Sequence, residues 1–183
     1  YYEMPSDHIY IRPESWDKPF EAPEHVCSSY DNCHVPWGST HEKTWHLVKT
    51  LPHVSGLFVW TGFDYLGEPT PYWWPSRSSF FGIVDLAGFP KDVYYMYKSE
   101  WTDEPVLHIF PHWNWKEGER VDIWAYYNNA DEVELYLNGK SLGVRQKTDS
   151  TYHVSWRVPF TPGTLRAVSR LGGKEVLVKE IHT

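Results

Sequence analysis

The sequence predicts an α+β chain built of two unlike parts, on three observations. First, Ser39–Leu51 reads as a helix, and after Pro52 and four intervening residues the apolar run Leu57–Trp60 reads as a buried strand. Helix, short loop and buried strand make the αβ half of a βαβ repeat. Second, the run Gly56–Pro69 turns from β-forming residues to Gly, Asp, Tyr, Glu and Pro. A buried strand that empties into a loop carrying Trp60, Asp64, Tyr65 and Glu68 is the pattern at the mouth of an α/β barrel. Third, the character changes at Thr102–Pro105, and everything beyond reads as short strands with turns at regular spacing. That is the pattern of an immunoglobulin-like β-sandwich, and it puts a boundary near residue 103.

Residues 1–38 show no sustained periodicity and contain Pro5, Pro13, Pro19, Pro23 and Pro36. They read as a long irregular segment with at most a short strand at His8–Ile11, which points to a functional loop or to missing neighbours. The helix from Ser39 opens on Ser39-Thr40-His41-Glu42, a capping box in which Ser39 would meet an amide three residues on and Glu42 would reach back. Thr44, Trp45, Leu47, Val48 and Leu51 then form one stripe. After the strand, Pro69, Pro71 and Pro75 with Tyr72, Trp73 and Trp74 make a stiff aromatic loop. Arg77–Asp85 reads as a partly buried loop or short strand. Pro90 suits the first position of a second helix, which Val93, Tyr94, Met96, Tyr97 and Trp101 make amphipathic.

The sandwich strands are expected at Val106–Phe110, Arg120–Tyr127, Glu132–Leu137, Ser141–Arg145, Thr151–Val158, Gly163–Arg170 and Glu175–Ile181. Leu137-Asn138-Gly139-Lys140 carries the strongest hairpin signal, because a type I′ turn needs φ > 0 at both central residues. Leu171-Gly172-Gly173-Lys174 looks like a second hairpin turn. The acidic pairs Asp103-Glu104 and Asp131-Glu132 read as solvated turn charges.

Bulk composition excludes some functions. A net charge of −7 argues against nucleic acid as a partner. No run of about 18 apolar residues offers a membrane span. The opening Tyr1-Tyr2-Glu3-Met4-Pro5 shows no signal peptide and no initiator Met, and it resembles an excerpt or processed product from which a targeting segment could have been lost. Eleven Trp and 17% aromatic residues fit either a core of large rings or stacking on sugar faces. Cys27 and Cys33, near His25, His34 and His41, lack the spacing of a metal site. A local disulfide and two free thiols both stay open.

Chemistry concentrates in the loop after Trp60. Asp64 and Glu68 could serve as acid and nucleophile across a glycosidic bond if about 5 Å separated them. Opposed carboxylates normally come from different strand ends, so these two read rather as bracing or sugar-hydroxyl-binding groups. No G-x-S-x-G elbow, P-loop, Rossmann fingerprint or H-E-x-x-H is present. Nothing in the sequence asks for a cofactor or a metal. Trp113 and Trp115 would share one side of an extended segment and read as interface packing or as a sugar platform.

Three motifs resemble the C-terminal half of glycoside hydrolase family 2 enzymes of the β-galactosidase type. They are Ser55–Pro71, Arg77–Trp101 (with Phe81-Gly82-Ile83-Val84-Asp85 and Pro90-Lys91-Asp92) and Asn129–Gly143. They occur in the family's order and spacing, and the resemblance runs from about Cys27 onward. It implies that 1–103 is the end of a (β/α)8 barrel, with Gly56–Trp60 as its eighth strand, and that 104–183 is the sandwich after it. It also implies a retaining β-glycosidase acting on terminal β-linked sugars, whose acid/base and nucleophile Glu residues lie upstream of this chain. Glu3 and Glu14 follow no apolar strand run and match neither. By resemblance Trp60 floors the subsite of the cleaved sugar, Asp64 and Glu68 line or brace it, and Arg77 and Ser78 stand near its mouth. The implied partners are a carbohydrate substrate and the remainder of the parent enzyme, in a periplasmic or secreted location. The alternative from the residues alone is a non-catalytic carbohydrate-binding or structural sandwich module.

Overall fold

The computed structural model describes residues 2–3, 10–11, 26–35, 37–69 and 74–183, with side chains from residue 28 onward. The chain forms two compact units, Tyr1–Tyr94 and Tyr95–Thr183. In the first, β1 (Tyr2–Glu3) and β2 (Tyr10–Ile11) are short and parallel to β3 (Val26–Cys27) and β4 (Cys33–His34) respectively. Of the strand expected at His8–Ile11, the second half is present and His8 and Ile9 lie outside the described residues. So do Glu14, His25, Pro71, Tyr72 and Trp73, and the side chain of Cys27.

Helix α1 spans His41–Thr50. Its cap differs from the expected capping box. Thr40 is the N-cap residue and makes no side-chain cap bond. The first amides of the helix are instead met by Asp31, whose Oδ1 accepts from His41 N at 2.8 Å and whose Oδ2 accepts from Glu42 N at 2.6 Å. A carboxylate at a helix N-terminus satisfies orphan donors and complements the helix dipole. Burial pushes the Asp31 carboxyl up, against the pull of neighbouring His41 and of those two amides. The apolar stripe of α1 is only half-covered, and no residue of the helix is fully buried.

The buried strand expected at Leu57–Trp60 is not formed. These residues enter no ladder, Phe58 is fully exposed, and Trp60 is 72% exposed. A buried strand needs neighbours to cover its faces and to take up its amides. Among the described residues none pairs with it. Backbone pairing begins just beyond, where a loop was expected. Thr61 N donates to Phe81 O at 3.3 Å, Ile83 N to Thr61 O at 3.0 Å, Val84 N to Gly62 O at 3.0 Å and Asp64 N to Val84 O at 2.9 Å. The segment 61–67 is thus tied to 77–84, through a parallel bridge at Phe63 and Val84 and an antiparallel one at Leu66 and Ser78.

Helix α2 (Asp92–Trp101) buries Met96, Tyr97 and Ser99. The seven strands that follow are β5 (Leu107–Phe110), β6 (Arg120–Tyr127), β7 (Glu132–Leu137), β8 (Lys140–Arg145), β9 (His153–Pro159), β10 (Thr164–Leu171) and β11 (Lys174–His182). They make a sandwich of two antiparallel sheets, ordered β5-β6-β9 and β11-β10-β7-β8. Alternate residues point inward. Ile109, Val121, Ile123, Ala125, Val133, Leu135, Val154, Trp156, Leu165 and Ala167 fill the space between the sheets. Fully burying one such aliphatic side chain contributes about 1.5–3 kcal/mol. Asn138 at φ 50° and Gly139 at φ 81° make the expected type I′ turn. Gly172 at φ 56° and Gly173 at φ 78° make the second.

Trp113 and Trp115 do not form an exposed pair. Trp113 is 1% exposed, packs edge-on against Phe160 in the sandwich core and donates from Nε1 to Thr161 O at 3.1 Å. Trp115 packs against the same core and stacks on His112. Of the acidic turn residues, Glu104 pairs with Lys98 at 2.6 Å and Asp131 accepts from Gly172 N at 2.7 Å.

Candidate functional site

The two tied segments, 61–67 and 77–84, present a cluster of aromatic and charged side chains within the first unit. They can run so close because position 82 is glycine. A Cβ there would fall 2.2 Å from Asp64 N, 2.4 Å from Phe63 C and 2.6 Å from Val84 O. Ser79, fully buried, clamps Tyr65 from both sides of its peptide. Its Oγ accepts from Tyr65 N at 3.0 Å and its own N donates to Tyr65 O at 2.8 Å. Gly67 N donates to Arg77 O at 2.8 Å and closes the far end.

Asp64 does not face open solvent with Glu68. Its side chain is 7% exposed. Oδ1 accepts from Gly82 N at 2.8 Å and from Lys91 Nζ at 2.9 Å, and Oδ2 lies 2.7 Å from the same ammonium. Lys91 Nζ also donates to Phe80 O at 3.2 Å. Asp64 therefore fastens the loop that precedes α2. A carboxylate so held is fixed by an amide and an ammonium, whereas Glu68 bonds a different group.

Glu68 has a different setting. Gly67 and Glu68 both adopt positive φ, 102° and 42°, and this left-handed turn brings the Glu68 carboxylate back three residues. There it accepts a hydrogen bond from the Tyr65 hydroxyl. That bond is the leading cause of an elevated Tyr65 phenol, which stays protonated at neutral pH. The Tyr65 ring stands edge-on to Trp60, with centroids 6.3 Å apart and planes at 77°. It is also tilted against Phe81 at 6.4 Å. Trp60 keeps most of its surface open. Arg77 is turned onto the Trp74 ring, its guanidinium carbon 4.7 Å from the centroid. The Ser78 hydroxyl donates locally to Ser79 O at 2.9 Å.

Of the expected site residues, the structure joins Trp60 and Glu68 through Tyr65, and sets Asp64 and Arg77 on separate partners. Sequence reading left Tyr65, Ser79 and Lys91 without a role. The signal for Tyr65 was its place three residues before Glu68 across a Gly. Ser79 and Lys91 had no local signal, since their partners lie 14 and 27 residues away.

The arrangement can be set beside known proteins. Residues 118–177 match a family described as a domain of unknown function, DUF4982. The whole chain is 62% identical over 183 residues to a protein named beta-galactosidase BoGH2A of Bacteroides ovatus, of which it covers 22%. Among solved structures, a beta-glycosidase from Bacteroides vulgatus superposes with a TM-score of 0.77 at 40% identity, over 86% of this chain and 20% of that one. A glycosyl hydrolase family 2 member from Bacteroides cellulosilyticus does so with a TM-score of 0.66 at 30% identity, over 78% of this chain and 23% of its own. The chain spans about a fifth of the length of these relatives. Similarity along its full length to one of them, and a fold shared with the others, place this chain in glycoside hydrolase family 2.

Proposed function

We propose that this chain is the C-terminal segment of a retaining β-glycosidase, of β-galactosidase type, that releases terminal β-linked sugars. Residues 1–103 would complete a (β/α)8 barrel and 104–183 would be the accessory sandwich. The observation that carries this reading is the 62% identity, over the whole chain, to a protein named beta-galactosidase. The geometry of the first unit is consistent with it. Trp60 offers an open indole face of the kind that stacks on the apolar side of a pyranose, and a hydroxyl and a carboxylate stand beside it. Gly56–Trp60 would become the eighth strand once the other seven lie beside it. Both catalytic carboxylates would then come from upstream strands, and this chain would supply one wall of the pocket. In that wall Trp60 and Glu68 would meet substrate, Asp64 would hold the wall in shape through Lys91, and Arg77 would stand at the rim. We place the enzyme in the periplasm or outside the cell on family resemblance. A sandwich that binds sugar by itself is less well supported, because Trp113 is committed to the core.

The test compares the full-length protein with the 183-residue chain on an aryl β-galactoside. The full-length protein should turn it over and the isolated chain should not. Trp60→Ala in the full-length protein should lower kcat/KM by at least about tenfold, the effect of losing ~1.4 kcal/mol of transition-state contact. Turnover by the isolated chain, lost in Glu68→Gln, would overturn the segment reading and restore the local carboxylate pair.

A further inference from the structure

We infer that the Tyr65 hydroxyl is a further substrate-contacting group, oriented by Glu68 to accept a hydrogen bond from a sugar hydroxyl at the edge of the Trp60 face. The inference rests on the glycosidase reading above. A phenol has one proton, and Tyr65 donates it to Glu68. The Trp60 side chain also hydrogen-bonds the phenol, and since an indole N–H only donates, the oxygen keeps one lone pair to offer, so the pair reads a ligand group as a donor, which a sugar hydroxyl is. Three features hold that oxygen in place. Ser79 fixes the Tyr65 peptide on both sides. Phe81 and Trp60 flank the ring. Glu68 reaches back only because it adopts φ 42° after Gly67, a conformation unfavourable for a residue with a Cβ and recurrent at ligand clamps. The pair lies at the surface, where one such bond adds little to stability. The left-handed turn is therefore better accounted for by positioning than by folding.

The experiment uses the full-length enzyme, with Tyr65→Phe, Glu68→Gln and Trp60→Ala, on an aryl β-galactoside and on the set of its analogues each lacking one sugar hydroxyl. Tyr65→Phe should lower kcat/KM about tenfold, mainly through KM, as expected for one lost hydrogen bond. For one deoxy analogue, and only one, Tyr65→Phe should cause no further loss, while Glu68→Gln, which keeps an acceptor for the Tyr65 hydroxyl, should retain the discrimination for that analogue. An unchanged kcat/KM in Tyr65→Phe, or an equal loss on every analogue, would overturn the inference by reducing Tyr65 to a packing role. Unchanged thermal unfolding midpoints in both variants distinguish loss of contact from loss of fold. A loss in Trp60→Ala with Tyr65→Phe intact removes this inference alone. Absence of turnover by the unsubstituted enzyme, or full activity in Trp60→Ala, removes the glycosidase reading beneath it.

Discussion

Gly82 shows how one residue sets the geometry of the whole cluster. Its amide donates to Asp64 while its missing side chain lets the 61–67 and 77–84 segments touch. All three atoms that a Cβ would meet belong to backbone, and none can swing aside as the end of a side chain could. Gly82→Ala should therefore destabilise the first unit by about 2–4 kcal/mol, at or above the usual range for overpacking. Chemical denaturation followed by Trp fluorescence would measure it. A change within about 0.5 kcal/mol, the scale of an inert surface substitution, would mean that the segments do not approach this closely. Asp64 depends on the same contact, because its carboxylate is shared between the Gly82 amide and Lys91.

At the scale of elements, α1 and the sandwich differ in how their instructions are written. The helix is capped from Asp31, which lies 10 and 11 residues before the amides it receives. Asp31→Ala should loosen the N-terminus of α1 by about 1–2 kcal/mol, read as faster amide exchange in the first turn. Ser39→Ala should leave exchange nearly unchanged. The reverse result would reinstate the capping box read from Ser39-Thr40-His41-Glu42. The sandwich strands were legible because their signals are local. Alternation in Glu132–Leu137 and positive φ at Asn138 and Gly139 each need only adjacent residues to express themselves. What stayed hidden depends on distant chain. The Lys91–Asp64 pair, the Asp31 cap and the Ser79 clamp all join residues that no short window contains. Leu57–Trp60 is the opposite case. Its composition reads clearly as strand, but composition cannot supply the neighbours that a buried strand must pair with.

That last point becomes a prediction about the whole molecule. Residues 57–60 are apolar and unladdered in this chain, whereas Glu132–Leu137 is paired on both edges, to β8 and to β10. Amide exchange reports the free energy of opening each segment, from near zero in unpaired chain up to the global value in core strands. In the isolated 183-residue chain, Leu57–Trp60 should exchange within the dead time of a manual-mixing experiment while Glu132–Leu137 stays protected. In the full-length protein the outcome turns on the barrel. If seven further strands close around Gly56–Trp60, its amides gain partners on both sides, Phe58 and Val59 lose contact with water, and the segment should become as slow to exchange as β7. Equal protection of the two segments in the isolated chain would mean that 57–60 finds partners within these 183 residues. Fast exchange at 57–60 in both proteins would rule out an eighth barrel strand there, and Trp60 would then lack the rigid base that a sugar-stacking ring requires.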